Sequence, residues 1–137
     1  MSDFVLDASI AIQWLLVDEI DRQYSLRILA ALNEQQASVP ALWLYEVGNA
    51  LVMACRRKRI SADQMSVFLK RLGLLPIRLV QPTIGDMYDL PHLAQQHNLT
   101  NYDAAYLALA LKFDLPLATT DKHLRDAAVA SGARIMT

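Results

Sequence analysis

The chain has 137 residues, 54% of them hydrophobic and 20% charged, with a net charge of −1. That length suits one domain, residues 1–137, with a core of its own, and the apolar share stands slightly above the usual range of roughly 45–50%. Near-neutral charge excludes a general attraction to nucleic acid or anionic membrane, and the lone Cys55 excludes an intrachain disulfide framework.

Short aliphatic runs alternate with helical patterns. Residues 3–7 read as a first strand, followed by a short apolar helix around Ile10 to Leu16. "DEIDRQYSLRILAALNEQ", from Asp18, places Tyr24, Ile28, Leu29 and Leu32 at helical spacing. "ASVP" is a brief second strand stopped by Pro40. The longest helix is expected from Ala41 to about Lys58, with Leu42, Val47, Leu51 and Ala54 on its buried side. Ser61 is a suitable N-cap for the next helix and Gly73 a suitable end.

"IRLV" (77–80) reads as the third strand, and a helix follows from about Ile84 to His97. "TNYDAAYLALALKF" is a further helix, with Tyr106, Leu107, Ala110 and Leu111 at core spacing. "LPLATT" is the fourth strand, "DKHLRDAAVAS" the last helix, and "ARIM" a fifth strand at most. This alternation predicts an α/β fold: a mainly parallel sheet of four to five strands between two layers of helices. Sites in such sheets lie outside the carboxyl ends of the strands.

Four acids fall at such positions. Asp7 ends the first strand, Asp121 follows "LATT", Asp103 lies in the first turn of its helix, and Glu46 lies in the first two turns of the longest one. Capping is an alternative for each Asp, because acids are favoured at helix N-termini. Thr100 with Asp103 would make a weak relative of the capping box. Glu46 interrupts "ALWLYEVGNALVMAC", shares a face with Asn49, and has no Lys or Arg before Arg56, about 15 Å along a helix. Clustered carboxylates raise one another's pKa unless a cation neutralises them. Acids without nearby His or Cys suit Mg²⁺ or Mn²⁺ better than zinc. The expectation is that oxygens of residues 7, 46, 103 and 121 meet around one cation.

"VLDASIAIQWLL", "VPALWLYEVGNAL", "LTNYDAAYLALAL" and "LATTDKHL", in this order and spacing, resemble the PIN domain, specifically the VapC-type ribonuclease toxins of bacterial toxin–antitoxin pairs. The resemblance runs from Phe4 to about Met136. It implies a metal-dependent endoribonuclease that leaves 5′-phosphate and 3′-hydroxyl ends. Asp7, Glu46, Asp103 and Asp121 would hold Mg²⁺ or Mn²⁺, with Ser9, Asn49, Thr119 and Thr120 in support; "TTD" leaves open which threonine serves. It also implies a VapB-like antitoxin partner and a homodimer.

Basic residues supply the remaining candidates. Arg56, Arg57, Lys58 and Arg59 end the longest helix, where cations also complement the helix dipole. Lys122 and Arg125 stand beside Asp121. All six are candidate RNA contacts. Removing the four acids moves the net charge from −1 to +3, so the remaining surface is mildly basic. His92, His97 and His123 lack metal-binding spacing and read as surface or structural. Trp14 and Trp43 lie in apolar stretches suited to a core or a partner, with base stacking the alternative.

Asp3 and Asp7 stand where a signal peptide would be basic, and the longest apolar stretch is too short to span a bilayer. A soluble cytoplasmic protein is therefore expected, with no membrane contact. A phosphoacceptor receiver is disfavoured, because Gln81 rather than Asp follows the third strand. The alternative within the same fold is a non-catalytic RNA-binding or scaffold protein.

Overall fold

A computed structural model describes residues 3–16 and 22–137. The chain runs β1 (Phe4–Leu6), α1 (Ala8–Leu15), α2 (Gln23–Ala31), β2 (Ala37–Pro40), α3 (Leu42–Arg56), α4 (Ala62–Leu72), β3 (Ile77–Val80), α5 (Asp86–His97), α6 (Asn101–Phe113), β4 (Leu117–Ala118) and α7 (Lys122–Ala130). The four strands form one sheet in the order β3-β2-β1-β4. Every pairing is parallel, with Val5 opposite both Ser38 and Leu117. Helices α1–α4 pack as one contiguous set and α5–α7 as another, with α3 against β2 and α6 against β1, β2 and β4. The result is a three-layer α/β/α architecture.

The strand sequences explain the arrangement. Phe4, Val5 and Leu6 are fully buried, as a central parallel strand covered on both faces requires. Around them lie Ile10, Ile28, Val39, Leu51, Leu107, Leu117 and Leu124, each side chain worth about 1.5–3 kcal/mol on burial. Along α3, Val47, Leu51 and Ala54 face inward as the spacing predicts, joined by Trp43, whereas Leu42 is only half-buried. Both tryptophans are buried, and Trp14 Nε1 donates to the Ser25 carbonyl at 2.6 Å. Neither ring is exposed for stacking.

Several expected boundaries shift. Strand β4 keeps only Leu117 and Ala118, and Thr119 and Thr120 have left the ladder. "ARIM" forms only a parallel bridge, Ile135 to Leu117, flanked by Leu117 N–H to Arg134 O and Met136 N–H to Leu117 O. Helix α5 begins at Asp86, whose carboxylate accepts the Thr83 N–H at 2.9 Å. The inward face of α6 is Ala104, Tyr106, Leu107, Leu109 and Ala110, while Leu111 faces outward; with both β1 and β2 beneath it, the buried arc runs wider and is centred one residue earlier than expected. Residues 18–21 of the expected second helix lie outside the described residues, and α2 starts at Gln23. Among the described residues no helix is long and apolar enough to cross a membrane.

The topology sets the switch point. The chain steps from β1 outward to β2 and β3, then returns to place β4 on the other side of β1. The carboxyl ends of β1 and β4 therefore flank a topological switch point.

Candidate active site

Register brings Asp7 and Thr119 together. Leu6 pairs with Ala118, so the next residue of each chain segment emerges side by side above the sheet. The Thr119 hydroxyl donates to Asp7 Oδ2 at 2.6 Å, and the Ser9 hydroxyl donates to the same oxygen at 2.7 Å. Asp7 is 6% exposed. It occupies the N-cap position of α1, yet its side chain makes no capping bond to that helix. Burial pushes its carboxyl above the usual range; the two hydroxyls oppose this and the charge of Asp121 adds to it.

Asp121 has the opposite local role. Its Oδ1 accepts the His123 N–H at 2.9 Å and caps α7. Its backbone N–H donates to Thr119 Oγ1 at 3.0 Å, so Thr119 both donates to one acid and receives from the segment carrying another. Of the two threonines, Thr119 is buried and holds Asp7, whereas the exposed Thr120 contributes only its N–H, to Ser9 Oγ at 3.2 Å. Asp103 sits in the first turn of α6, where Thr100 Oγ1 accepts its N–H at 3.1 Å. Burial raises the Asp103 carboxyl pKa, the charges of Asp121 and Asp7 raise it further, and Thr100 and His123 lower it.

Glu46 approaches from the opposite helical layer. Burial raises its pKa; a 2.5 Å hydrogen bond from the Tyr106 hydroxyl opposes that, and the charges of Asp7 and Asp103 reinforce it. Tyr106 is fully buried, and burial together with the Glu46 charge holds its phenol protonated as a donor. Its role was not separable from packing in the sequence. The available signal was a tyrosine rather than a phenylalanine at a core position, since a buried hydroxyl needs a partner.

Asp7 and Asp103 thus feel each other's charge and that of Asp121, and Glu46 feels Asp7 and Asp103, at the switch point. They do not close on one point. Among the described residues no three His, Cys, Asp or Glu side chains form a ready ligand group, so the tight convergence expected from the sequence is not met. Protein hydrogen bonds already hold Asp7, Glu46 and Asp121. The all-oxygen donor set, with carboxylates that raise one another's pKa, fits a hard divalent cation that keeps several of its own waters.

The other candidates lie at varying distances. Asn49 is exposed on α3, one turn beyond Glu46. Arg56, Arg57, Lys58 and Arg59 are exposed at the far end of that helix. Lys122 pairs with Asp126 at 2.8 Å on the surface. Arg125 donates to the Thr119 carbonyl at 2.8 Å and stacks 5.3 Å over Tyr24, so its contacts are within the protein. His123 Nε2 lies 2.7 Å from the Asn98 carbonyl, which ties α7 to the end of α5.

Comparison with known proteins matches residues 4–130 to the PIN domain family. Ribonuclease VapC3 of Pyrobaculum aerophilum is 34% identical over 126 residues, spanning 89% of this chain and 92% of that protein. Ribonuclease VapC1 of Mycobacterium tuberculosis is 36% identical over 99 residues, 68% of each chain. Among solved structures, VapBC2 of Rickettsia felis bound to a DNA fragment superposes with a TM-score of 0.68 at 12% identity, covering 98% of this chain and 97% of that one. This chain belongs to the PIN domain family, and within it to the VapC type.

Proposed function

We propose that the protein is a metal-dependent endoribonuclease, the toxin of a VapBC-type pair, built as a single PIN domain over residues 1–137. The observation that carries the proposal is the electrostatic coupling of Asp7, Glu46, Asp103 and Asp121 at the switch point. Relatives named as ribonucleases, and a structural neighbour that is a VapBC assembly, support it.

In this reading the four carboxylates hold Mg²⁺ or Mn²⁺. When bound, the cation neutralises charge on a phosphoryl oxygen and acidifies a water. The protein's part is preorganisation. Ser9 and Thr119 fix one oxygen of Asp7, Tyr106 fixes one oxygen of Glu46, and the α7 amides fix Asp121. Side chains held in this way need little rearrangement during reaction. Burial of Asp7 keeps bulk water from screening the charges. Attack in line on phosphorus would leave 5′-phosphate and 3′-hydroxyl ends. Arg56, Arg57, Lys58, Arg59 and Lys122 supply cations for the RNA backbone. A VapB-like antitoxin, a homodimeric assembly and a cytoplasmic location complete the proposal.

The test replaces Asp7 or Asp103 by Asn and measures cleavage of RNA with Mg²⁺ or Mn²⁺ present, together with growth on expression. Loss of both activities is expected; unchanged activity in either variant overturns the assignment. The open spacing of the acids favours a second reading, a non-catalytic RNA-binding scaffold. Calorimetric titration with Mn²⁺ separates the two, since the scaffold requires no acid-dependent heat of binding.

A further inference from the structure

Thr119 is fully buried but has left the ladder of β4, so its peptide groups need partners from elsewhere. Side chains from two helices supply them. Arg125 of α7 donates from Nη2 to the Thr119 carbonyl at 2.8 Å. On the outer side of β4, the bridge to Ile135 carries the Leu117 N–H to Arg134 O and the Met136 N–H to Leu117 O. One more rung of a parallel ladder would take the Thr119 N–H to the Met136 carbonyl. Tyr24 of α2 stands in that rung instead. Its hydroxyl donates to the Met136 carbonyl at 2.5 Å. Burial raises the phenol pKa, and the Arg125 charge and a hydrogen bond from the Thr119 backbone oppose the rise, so the Thr119 amide reaches the same oxygen. The Arg125 guanidinium lies 5.3 Å over the Tyr24 ring, which joins the two side chains into one unit.

We infer that Tyr24 and Arg125 are positioning residues for the reaction, clamping the N–H and the carbonyl of Thr119 so that its hydroxyl stays on Asp7 and its oxygen stays on the Asp121 N–H. The inference rests on the nuclease reading and adds two residues to it. Thr119 Oγ1 donates to Asp7 at 2.6 Å and accepts from the Asp121 N–H at 3.0 Å. A hydroxyl engaged on both sides cannot follow a rotation of its own backbone, so a loosened Thr119 peptide would disturb two acids at once. Arg125 is half-buried and committed to a carbonyl and a ring. It therefore acts through Thr119 rather than on RNA.

The experiment reads amide hydrogen exchange of the metal-free full chain by NMR, then kcat and KM for RNA cleavage with Mn²⁺. Wild type is compared with Tyr24→Phe, Arg125→Ala and Arg125→Lys. Ile28→Val, one turn farther along α2 at a buried apolar position, is the control for loosened packing of that helix. Tyr24→Phe is expected to speed exchange at Thr119 and Asp121 about tenfold, the effect of losing one hydrogen bond. It should lower kcat roughly ten- to a hundredfold with KM unchanged. Arg125→Ala should lower kcat in the same way, and Arg125→Lys, which keeps a donor for the carbonyl, should recover most of it. Ile28→Val should match wild type at both amides and in kcat. Equal exchange at Thr119 in wild type and Tyr24→Phe overturns the inference. So does a change confined to KM, which would make these side chains RNA contacts, or an equal loss of kcat in Ile28→Val, which would make the effect one of general stability. Failure of the nuclease reading is recognised separately, by RNA cleavage that survives Asp7→Asn, and the exchange at Thr119 still tests the clamp.

Discussion

The Tyr106 hydroxyl donates a 2.5 Å hydrogen bond to Glu46 across 60 positions of sequence, tying α6 in one helical layer to α3 in the other. The bond is part-buried, and a donor to a charged acceptor is worth about 1.5–3 kcal/mol. Tyr106→Phe removes the donor with little change of shape. Glu46 is then without the hydrogen bond that opposes its raised pKa, so at any given pH more of it is protonated. Cleavage should fall roughly tenfold near neutral pH, and the acid limb of the pH–rate profile should move upward. A profile of the Phe variant that coincides with wild type would show that the hydroxyl does not hold Glu46.

Metal-free stability should decline as pH rises. Asp7, Glu46 and Asp103 all have folded pKa values above their ordinary values. A raised acid binds more protons folded than unfolded, so its contribution is fully present below the unfolded value, about 4, and is lost as pH climbs through the folded one. With a chelator present, the melting temperature should be higher near pH 5 than near pH 7.5. Asp7→Asn should flatten this slope and raise the neutral-pH melting temperature while abolishing cleavage. Adding Mn²⁺ should raise the melting temperature of wild type more than that of the Asn variant.

Much of this fold is readable along the chain because it depends on local rules. Ser61 caps α4 as its sequence suggests, and Gln64 completes a capping box that was not anticipated there. Parallel strands announce themselves as short aliphatic runs, and Asp7 stands out because a charge ends one. What a single segment does not carry is pairing. The choice between Thr119 and Thr120 follows from Leu6 opposing Ala118, a register that no one stretch encodes. Asp121 caps its helix as well as adjoining the other acids, so the two alternatives at that position are not exclusive. The left-handed ends of α5 and α6, at Asn98 and Asp114, rest on short polar side chains that tolerate positive φ.

Thr119 should be the most sensitive supporting residue. It is fully buried, donates to Asp7 and accepts from the Asp121 N–H. Thr119→Val keeps the volume and deletes both bonds, leaving Asp7 Oδ2 with Ser9 as its one hydroxyl donor and the Asp121 N–H without its acceptor, at a cost of about 1–3 kcal/mol. Urea denaturation should show that drop in stability, and cleavage should fall with it. Thr120→Val, at an exposed side chain whose bond to Ser9 runs through the backbone N–H, should match wild type in both assays. Equal effects at the two positions would contradict the assignment of the supporting hydroxyl.

Arg125 and the basic end of α3 should behave differently in salt titrations of RNA binding. Arg125 is committed to the Thr119 carbonyl and the Tyr24 ring, so Arg125→Ala should lower stability by roughly 1–2 kcal/mol. It should leave the slope of log affinity against log salt nearly unchanged. Arg56, Arg57 and Lys58 are exposed, and replacing Arg56 and Arg57 together by Ala should leave the melting temperature almost untouched. For every phosphate that the altered helix end no longer neutralises, the salt slope should shrink by about 0.7 for a single strand. A reduced slope in Arg125→Ala, or an unchanged one in the double variant, would reverse the division of labour between structural and RNA-facing cations.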